Sequence, residues 1–307
     1  MTGSAAVSGA PPASLRLLLR GVVDYAGLFP PAGLAMADAV AEYARHRDEP
    51  GAWMLGRFVL PAARLEEFES VAAPRLPREI AAWWPLSALL GSDLEEDVRR
   101  IEQFNERRDT RPGAALVDTV ELKAHTPREV GHAAEILQRQ FDTYVEIPIV
   151  EDPAELVEAV AAARAKAKIR TGGTTADAFP AAQHVVRFIA RCLAHTVPFK
   201  ATAGLHHPLR AEYRLTYETN APRGVMYGFL NVLLATAAMH AGASEREASA
   251  VLEERDPRAV QFREDSVHVR QHLLGLASLR AARESMTSFG SCSFAEPVAD
   301  LSTLGIL

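Results

Sequence analysis

Two rhythms of apolar residues alternate along this chain. Short runs rich in Val, Ile, Leu and Phe are followed by stretches whose apolar positions recur three or four residues apart, with turn residues between them. The runs predict strands over 21–26, 54–61, 85–91, 115–123, 143–150, 167–171 and 197–203. The helical periods predict helices over 36–47, 64–71, 127–141, 154–165, 181–194, 228–241, 245–254, 276–286 and 297–304. A further helix opens at Ser92 or Asp93, where Asp93-Leu94-Glu95-Glu96-Asp97 places negative charge on the positive end of the helix dipole. An eighth strand is expected at 288–294, because a short helix-like segment follows it directly; the rival position is 262–269. Residues 261–274 suggest a hairpin, and the long segment 205–225 suggests a lid, since loops of that length are usually functional.

Eight alternating units predict a parallel sheet with helical crossovers, and the count favours a closed (β/α)8 TIM barrel of α/β class. It forms a single domain over 14–307 behind a disordered tail at 1–13. An open doubly wound sheet is the alternative, weakened because no GxGxxG fingerprint follows the first strand.

A length of 307 residues is ample for one such barrel, and the formal net charge of −6 argues against a nucleic-acid partner. Cys192 and Cys292 lie far apart and form no CxxC pattern, which suits a reducing cytoplasm. No apolar run reaches the roughly 18 residues of a membrane span, and the N-terminus lacks the basic start of a secretory signal, so a soluble protein with no membrane partner is expected. Segment 228–241 is apolar nearly all round, as a core helix or the interface of a homo-oligomer would be.

In a (β/α)8 barrel the C-terminal ends of the strands face the functional site. By alternation, strand four places Glu121 and Lys123 on one face, and strand five contributes Glu146. Strand six ends in Lys168 and Arg170, and strand seven in Lys200 and Thr202. The loop beyond adds His206, His207, Arg210 and Arg214, and strand eight adds Ser291 and Ser293 on one face with Cys292 on the other. Gly172, Gly173 and Gly204 would let backbone N–H groups approach an anion. Asp24 reaches toward the same mouth, while Phe29-Pro30-Pro31 reads as a structural turn.

A lysine inside a strand must be paired or lose its charge. Two consecutive strands accept one here, which points to a small anionic partner, phosphorylated or carboxylated, held by Arg170, Lys200, His206, His207 and Arg210. A free lysine amine attacks a carbonyl to form an imine, an electron sink for making or breaking C–C bonds, with Glu121 or Glu146 moving protons. This chemistry calls for no cofactor. Three alternatives stand beside it: a structural salt-bridge layer, a non-catalytic anion-binding barrel, and a divalent-metal hydrolase or lyase using His206 and His207 with Glu121 and Glu146.

Lys168-Ile169-Arg170-Thr171-Gly172-Gly173 and Lys200-Ala201-Thr202-Ala203-Gly204 resemble the paired lysine strands of class I aldolases of the deoxyribose-phosphate aldolase type. The lysines are 32 residues apart, room for one helix between two strands. The resemblance implies a lyase in which Lys168 forms the Schiff base and Lys200 lowers its pKa. It covers only these two strands. Arg170 stands where that family carries a small hydroxyl residue, and Leu205-His206-His207-Pro208 has no counterpart in it. Asp118 could match the family's strand-four acid, but alternation turns it away from Glu121.

Overall fold

A computed structural model describes residues 10–79, 82–107 and 113–307. The expected tail falls mostly at 1–9, outside the described residues. A helix the periodicity did not suggest, α1 (Ala13–Leu19), begins at the last residue assigned to that tail and buries Leu15, Leu18 and Leu19.

Seven strands then alternate with helices. They are β1 (Val23–Tyr25), β2 (Leu55–Pro61), β3 (Trp84–Leu89), β4 (Ala115–Lys123), β5 (Asp142–Glu146), β6 (Lys166–Arg170) and β7 (Phe199–Thr202). The helices between them are α2 (Met36–Arg47), α3 (Leu65–Ala72), α4 (Leu94–Glu106), α5 (Pro127–Leu137), α6 (Ala154–Ala162) and α7 (Ala182–Ala194). After β7 the segment expected as a lid folds as an antiparallel hairpin, β8 (Ala211–Arg214) with β9 (Arg223–Met226). Helices α8 (Phe229–His240) and α9 (Glu245–Leu252) follow. The expected hairpin near 261–274 is a three-stranded antiparallel sheet, β10 (Val260–Phe262), β11 (Ser266–Val269) and β12 (His272–Gly275). The chain returns through α10 (Leu276–Ser285) to β13 (Met286–Ser291) and ends in α11 (Ala295–Thr303).

The eight parallel strands β1–β7 and β13 close into one barrel, with β13 between β7 and β1. The chain is a (β/α)8 barrel, and its eighth strand lies near the later of the two expected positions. Barrel strands are covered on both faces, so they read as near-continuous apolar runs. One irregularity matters for the interior. Leu86 pairs with Val117, but Ser87 pairs with Thr119, so Asp118 is the extra residue of a bulge in β4. Beyond the bulge, Glu121 is registered against Leu89 on one side and Tyr144 on the other.

Local signals set the helix starts. Asp93 caps α4, its carboxylate accepting from the Glu96 N–H at 3.0 Å, and Ser244 with Glu247 forms a complete capping box on α9. Helix α8 is buried within this chain over almost its whole surface, and Phe229 stacks on Phe289 of β13 with centroids 4.8 Å apart. Among the described residues no helix is long and apolar enough to cross a membrane.

Gly228 joins the hairpin β8–β9 to α8 where a side chain has no room. A Cβ there would collide with the Pro208 carbonyl oxygen, with Leu209 Cα and with the Asn231 side chain that hydrogen-bonds the Arg210 N–H. Gly228→Ala is therefore expected to destabilise the fold by about 1–3 kcal/mol, the range for overpacking. The check is a lower urea midpoint with an unchanged denaturant slope.

Candidate active site

Lys168 and Lys200 are direct partners in the β6–β7 ladder, and Glu146 is the partner of Lys168 in the β5–β6 ladder. Strand alternation sends these side chains inward together with Glu121, two strands away. All four are buried, Lys200 with only 1% of its surface exposed.

Glu121 is the hub. Its Oε1 accepts from Lys200 Nζ at 2.7 Å and from Ser87 Oγ at 2.7 Å, and its Oε2 lies 2.8 Å from Lys168 Nζ. Lys200 also donates to Asp24 Oδ2 at 2.6 Å. Asp24 in turn accepts from Ser288 Oγ at 2.7 Å and from the Arg57 N–H at 2.9 Å. Lys168 lies 2.9 Å from Glu146 Oε2. The charges therefore alternate in sign along the series Asp24, Lys200, Glu121, Lys168, Glu146.

This alternation sets the protonation states. Burial opposes the charge on Glu121, but Lys168 and Lys200 beside it hold its pKa far below the usual carboxylate range. Burial likewise opposes the charge on Lys200, but Asp24 and Glu121 more than offset it, and its pKa stands above the ordinary lysine value. Lys200 is thus a fixed cation, with the Tyr144 ring 5.2 Å from its Nζ.

The two lysines differ in alignment. Lys200 makes directed hydrogen bonds to both of its carboxylates. The approaches of Lys168 are close enough for strong Coulomb attraction, but neither is aligned as a hydrogen bond. Glu146 Oε2 is accordingly a buried acceptor with no aligned donor.

Lys168, Glu121 and Lys200 form part of the wall of a cavity of about 250 Å³ at the C-terminal end of the strands. Arg170 also lines it, and this exposed guanidinium has no hydrogen bond or ion pair among the described residues. Beside it run the backbone N–H groups of residues 172–174 and 203–206, which find no acceptor among the described residues. Ala203 and Gly204 adopt left-handed backbone, with φ of 62° and 72°. Thr171 Oγ1 donates to the Ala203 carbonyl at 2.8 Å and ties the two loops together. The Gly172 and Gly204 backbones close in on Phe179: a Cβ at Gly204 would stand 2.7 Å from the ring. Free amides beside a guanidinium suit an anion.

The remaining predicted residues divide. Gly173, Thr202, Gly204 and His206 line the same cavity, as does Cys292, whose thiol burial pushes up to about 11. Lys123 stands at the adjoining mouth, 69% exposed, with Nζ 3.9 Å from Glu146. Ser291 lies behind the wall, 3.1 Å from His206 Nδ1. His207 and Arg210 are not brought to the cavity. His207 pairs with Asp300 at 2.6 Å and stacks on Tyr213, and Arg210 pairs with Glu253 at 2.7 Å beneath the Tyr227 ring. Both anchor the hairpin β8–β9 and its flanks. Among the described residues no three His, Cys, Asp or Glu side chains are arranged to hold a metal, so His206, His207, Glu121 and Glu146 do not converge. Asp118, displaced by the bulge, pairs with Arg57 at 2.8 and 2.9 Å.

Sequence reasoning brought Asp24 toward the mouth without giving it a role, and left Ser87 and Ser288 out of the site. The signal for Asp24 was present: an unaccompanied carboxylate inside the apolar run Val22-Val23-Asp24-Tyr25 needs a buried cation. The serines carry no such signal. Phe29, Pro30 and Pro31, read as a turn, also form cavity wall.

Glu121→Gln leaves two buried ammonium groups with one carboxylate each and is expected to destabilise the protein by about 3–5 kcal/mol. Because the folded-state pKa of Glu121 is depressed, its contribution is fully present above its unfolded value of about 4.3 and is lost as pH falls below it. Urea midpoints measured from pH 7 downward should fall in the native protein below that point, and less steeply in Glu121→Gln.

No protein-family model matches the chain, and no curated protein matches it.

Proposed function

We propose that this barrel is a lysine-dependent lyase of aldolase type, acting on a small anionic carbonyl compound through Lys168. One observation carries the reading. Lys168 is the cavity-lining amine that is charge-paired without aligned hydrogen bonds, and the lysine beside it is locked as a cation by the same carboxylate. Lys200 and Ser87 occupy one oxygen of Glu121, and the Lys168 ammonium faces the other. A proton leaving Lys168 goes to Glu146, 2.9 Å away and without a competing aligned donor. Glu121 is the poorer acceptor, since two lysines hold it ionised. This supports the roles that the resemblance to class I aldolases implies for Lys168 and Lys200, and adds Glu146 as the proton acceptor.

The chemistry balances with these groups alone. The free amine of Lys168 attacks the carbonyl carbon, and the carbonyl oxygen takes up a proton to give a carbinolamine. Loss of water gives an iminium. In the cleavage direction a β-hydroxyl gives its proton to Glu146, ionised again once water has left, and the C–C bond breaks. The electron pair moves to the iminium nitrogen as an enamine, and an aldehyde leaves. Protonation of the enamine carbon and hydrolysis restore Lys168 and release the second product. The cavity of about 250 Å³ shares Lys168, Glu121 and Arg170 with an adjoining one of about 590 Å³ that Glu146 and Lys123 also line. Arg170 and the free amides beyond Gly172 take its phosphate or carboxylate.

Borohydride reduction in the presence of short keto acids or aldehydes should leave a mass adduct on a peptide containing Lys168, and none in Lys168→Met. Absence of any adduct across both classes would sink the imine mechanism. Glu146→Gln should slow adduct formation by about 10²–10⁴-fold, as loss of a proton-transfer group does. Arg170→Ala should weaken binding of an anionic substrate by about ten- to a hundredfold, the size of a charge-assisted hydrogen bond, with a neutral aldehyde unaffected.

A further inference from the structure

The loop that follows β7 brings a different kind of group to the same cavity. His206 lines it, and its Nδ1 faces three groups: Ser291 Oγ at 3.1 Å, Glu296 Oε2 at 3.6 Å and Cys292 Sγ at 3.7 Å. The hydrogen bonds of Ser291 fix the tautomer. Its single hydroxyl proton goes to the Ser293 carbonyl at 2.6 Å, so toward His206 the oxygen can only accept. Nδ1 therefore carries the hydrogen. The nearby Glu296 carboxylate, which also accepts from Tyr217 Oη at 2.9 Å, favours the same assignment. Burial and the neighbouring His207 push the ring's pKa down to about 4, so the ring is neutral at pH 7. A neutral imidazole protonated at Nδ1 has a bare lone pair on Nε2. Nε2 has no partner among the described residues.

Most of the other polar groups around the cavity are donors: Lys168, Lys200, Arg170 and the loop amides. The one carboxylate in the lining, Glu121, is already engaged by Ser87 and two lysines. A ligand made only of carbonyl and anionic oxygens would satisfy the donors and leave Nε2 facing a second lone pair.

We infer that His206 Nε2 is a specificity-determining acceptor, selecting ligands that carry a hydroxyl group in addition to their anionic group. The substrate class narrows to hydroxylated acids or phosphates. The assignment draws on the lysine reading only in placing the carbonyl; hydroxyl selection itself needs no imine. A site built to accept from a hydroxyl rejects the analogue lacking it, because the acceptor is then buried unpaired.

The test is calorimetric titration with 4-hydroxybutanoate and butanoate, which share a carboxylate and have no carbonyl. The native protein should bind 4-hydroxybutanoate about tenfold more tightly, the size of one hydrogen bond. His206→Asn can keep a donor toward Ser291 but has no acceptor at the Nε2 position. It should bind butanoate within about twofold of the native protein and lose the preference. His206→Gln, whose amide oxygen can reach that position, should retain part of it, which a general loss of packing would not allow. Equal affinities in the native protein, no binding of 4-hydroxybutanoate, or a preference that survives in His206→Asn overturns the assignment. Borohydride trapping of 4-hydroxy-2-oxobutanoate, which carries carboxylate, carbonyl and hydroxyl together, reports separately on Lys168 in the same samples. Binding preference without an adduct overturns the lysine reading and leaves hydroxyl selection standing.

Discussion

The interior of this barrel depends on one carboxylate shared between two ammonium groups. Glu121, 3% exposed, is where two strands' worth of buried positive charge is neutralised. Its side chain leaves β4 and meets amines from β6 and β7, so the hub spans a four-strand arc of the barrel. Desolvating any one of these charges alone would be very unfavourable, and removal of a partner from a buried pair is more destabilising than the pair is stabilising. The group therefore stands or falls as a unit. Asp24 extends it to β1 and Glu146 to β5, which ties the first strand of the barrel to its middle.

The unit is asymmetric, and the asymmetry follows from hydrogen-bond supply. At the Asp24 end every acceptor is satisfied: Lys200, Ser288 and the Arg57 N–H fill its oxygens. At the Glu146 end the carboxylate has Lys168 at close range without alignment, and Lys123 only at 3.9 Å. Three carboxylates meet two lysines inside the barrel, and the Glu146 end is the less fully hydrogen-bonded. Two residues of the same type in register on adjacent strands thus acquire opposite characters. Lys200 is a fixed cation held by directed hydrogen bonds, and Lys168 is paired at short range without them.

Much of this was legible in the sequence, because strand alternation acts over few residues. The run Glu121-Leu122-Lys123 and the pair Lys168 and Arg170 fixed which side chains share a face, and the strand-end rule fixed which end of the barrel they occupy. Asp24 was harder to place: β1 has only three residues, too few for alternation to be read, and its partner Lys200 is 176 residues away. The phase of Asp118 was unreadable for another reason. A bulge is set by pairing with β3, and nothing local in Val117-Asp118-Thr119 announces it. His207 and Arg210 looked like site residues because they adjoin His206. The turn at Pro208 and the hairpin beyond it carry them to Asp300 and Glu253 instead.

The serines show what pattern reading cannot reach and chemistry can. Ser87 and Ser288 each supply one hydrogen bond to a carboxylate, and Ser291 fixes one tautomer; none stands out by type or spacing. Yet each hydroxyl has one proton, and where that proton goes decides what its neighbour must do. Ser87 joins Lys200 on one oxygen of Glu121, so that oxygen is already satisfied before any ligand arrives. Ser291 spends its proton on the Ser293 carbonyl, so His206 must donate from Nδ1 and keep Nε2 bare. Donors along β6, β7 and their loops share the cavity with the His206 ring and the apolar wall of Phe29, Pro30 and Pro31. On the proposed reading, a ligand would bring an anion to the donors, an electrophilic carbon to the amine and a hydroxyl to the imidazole.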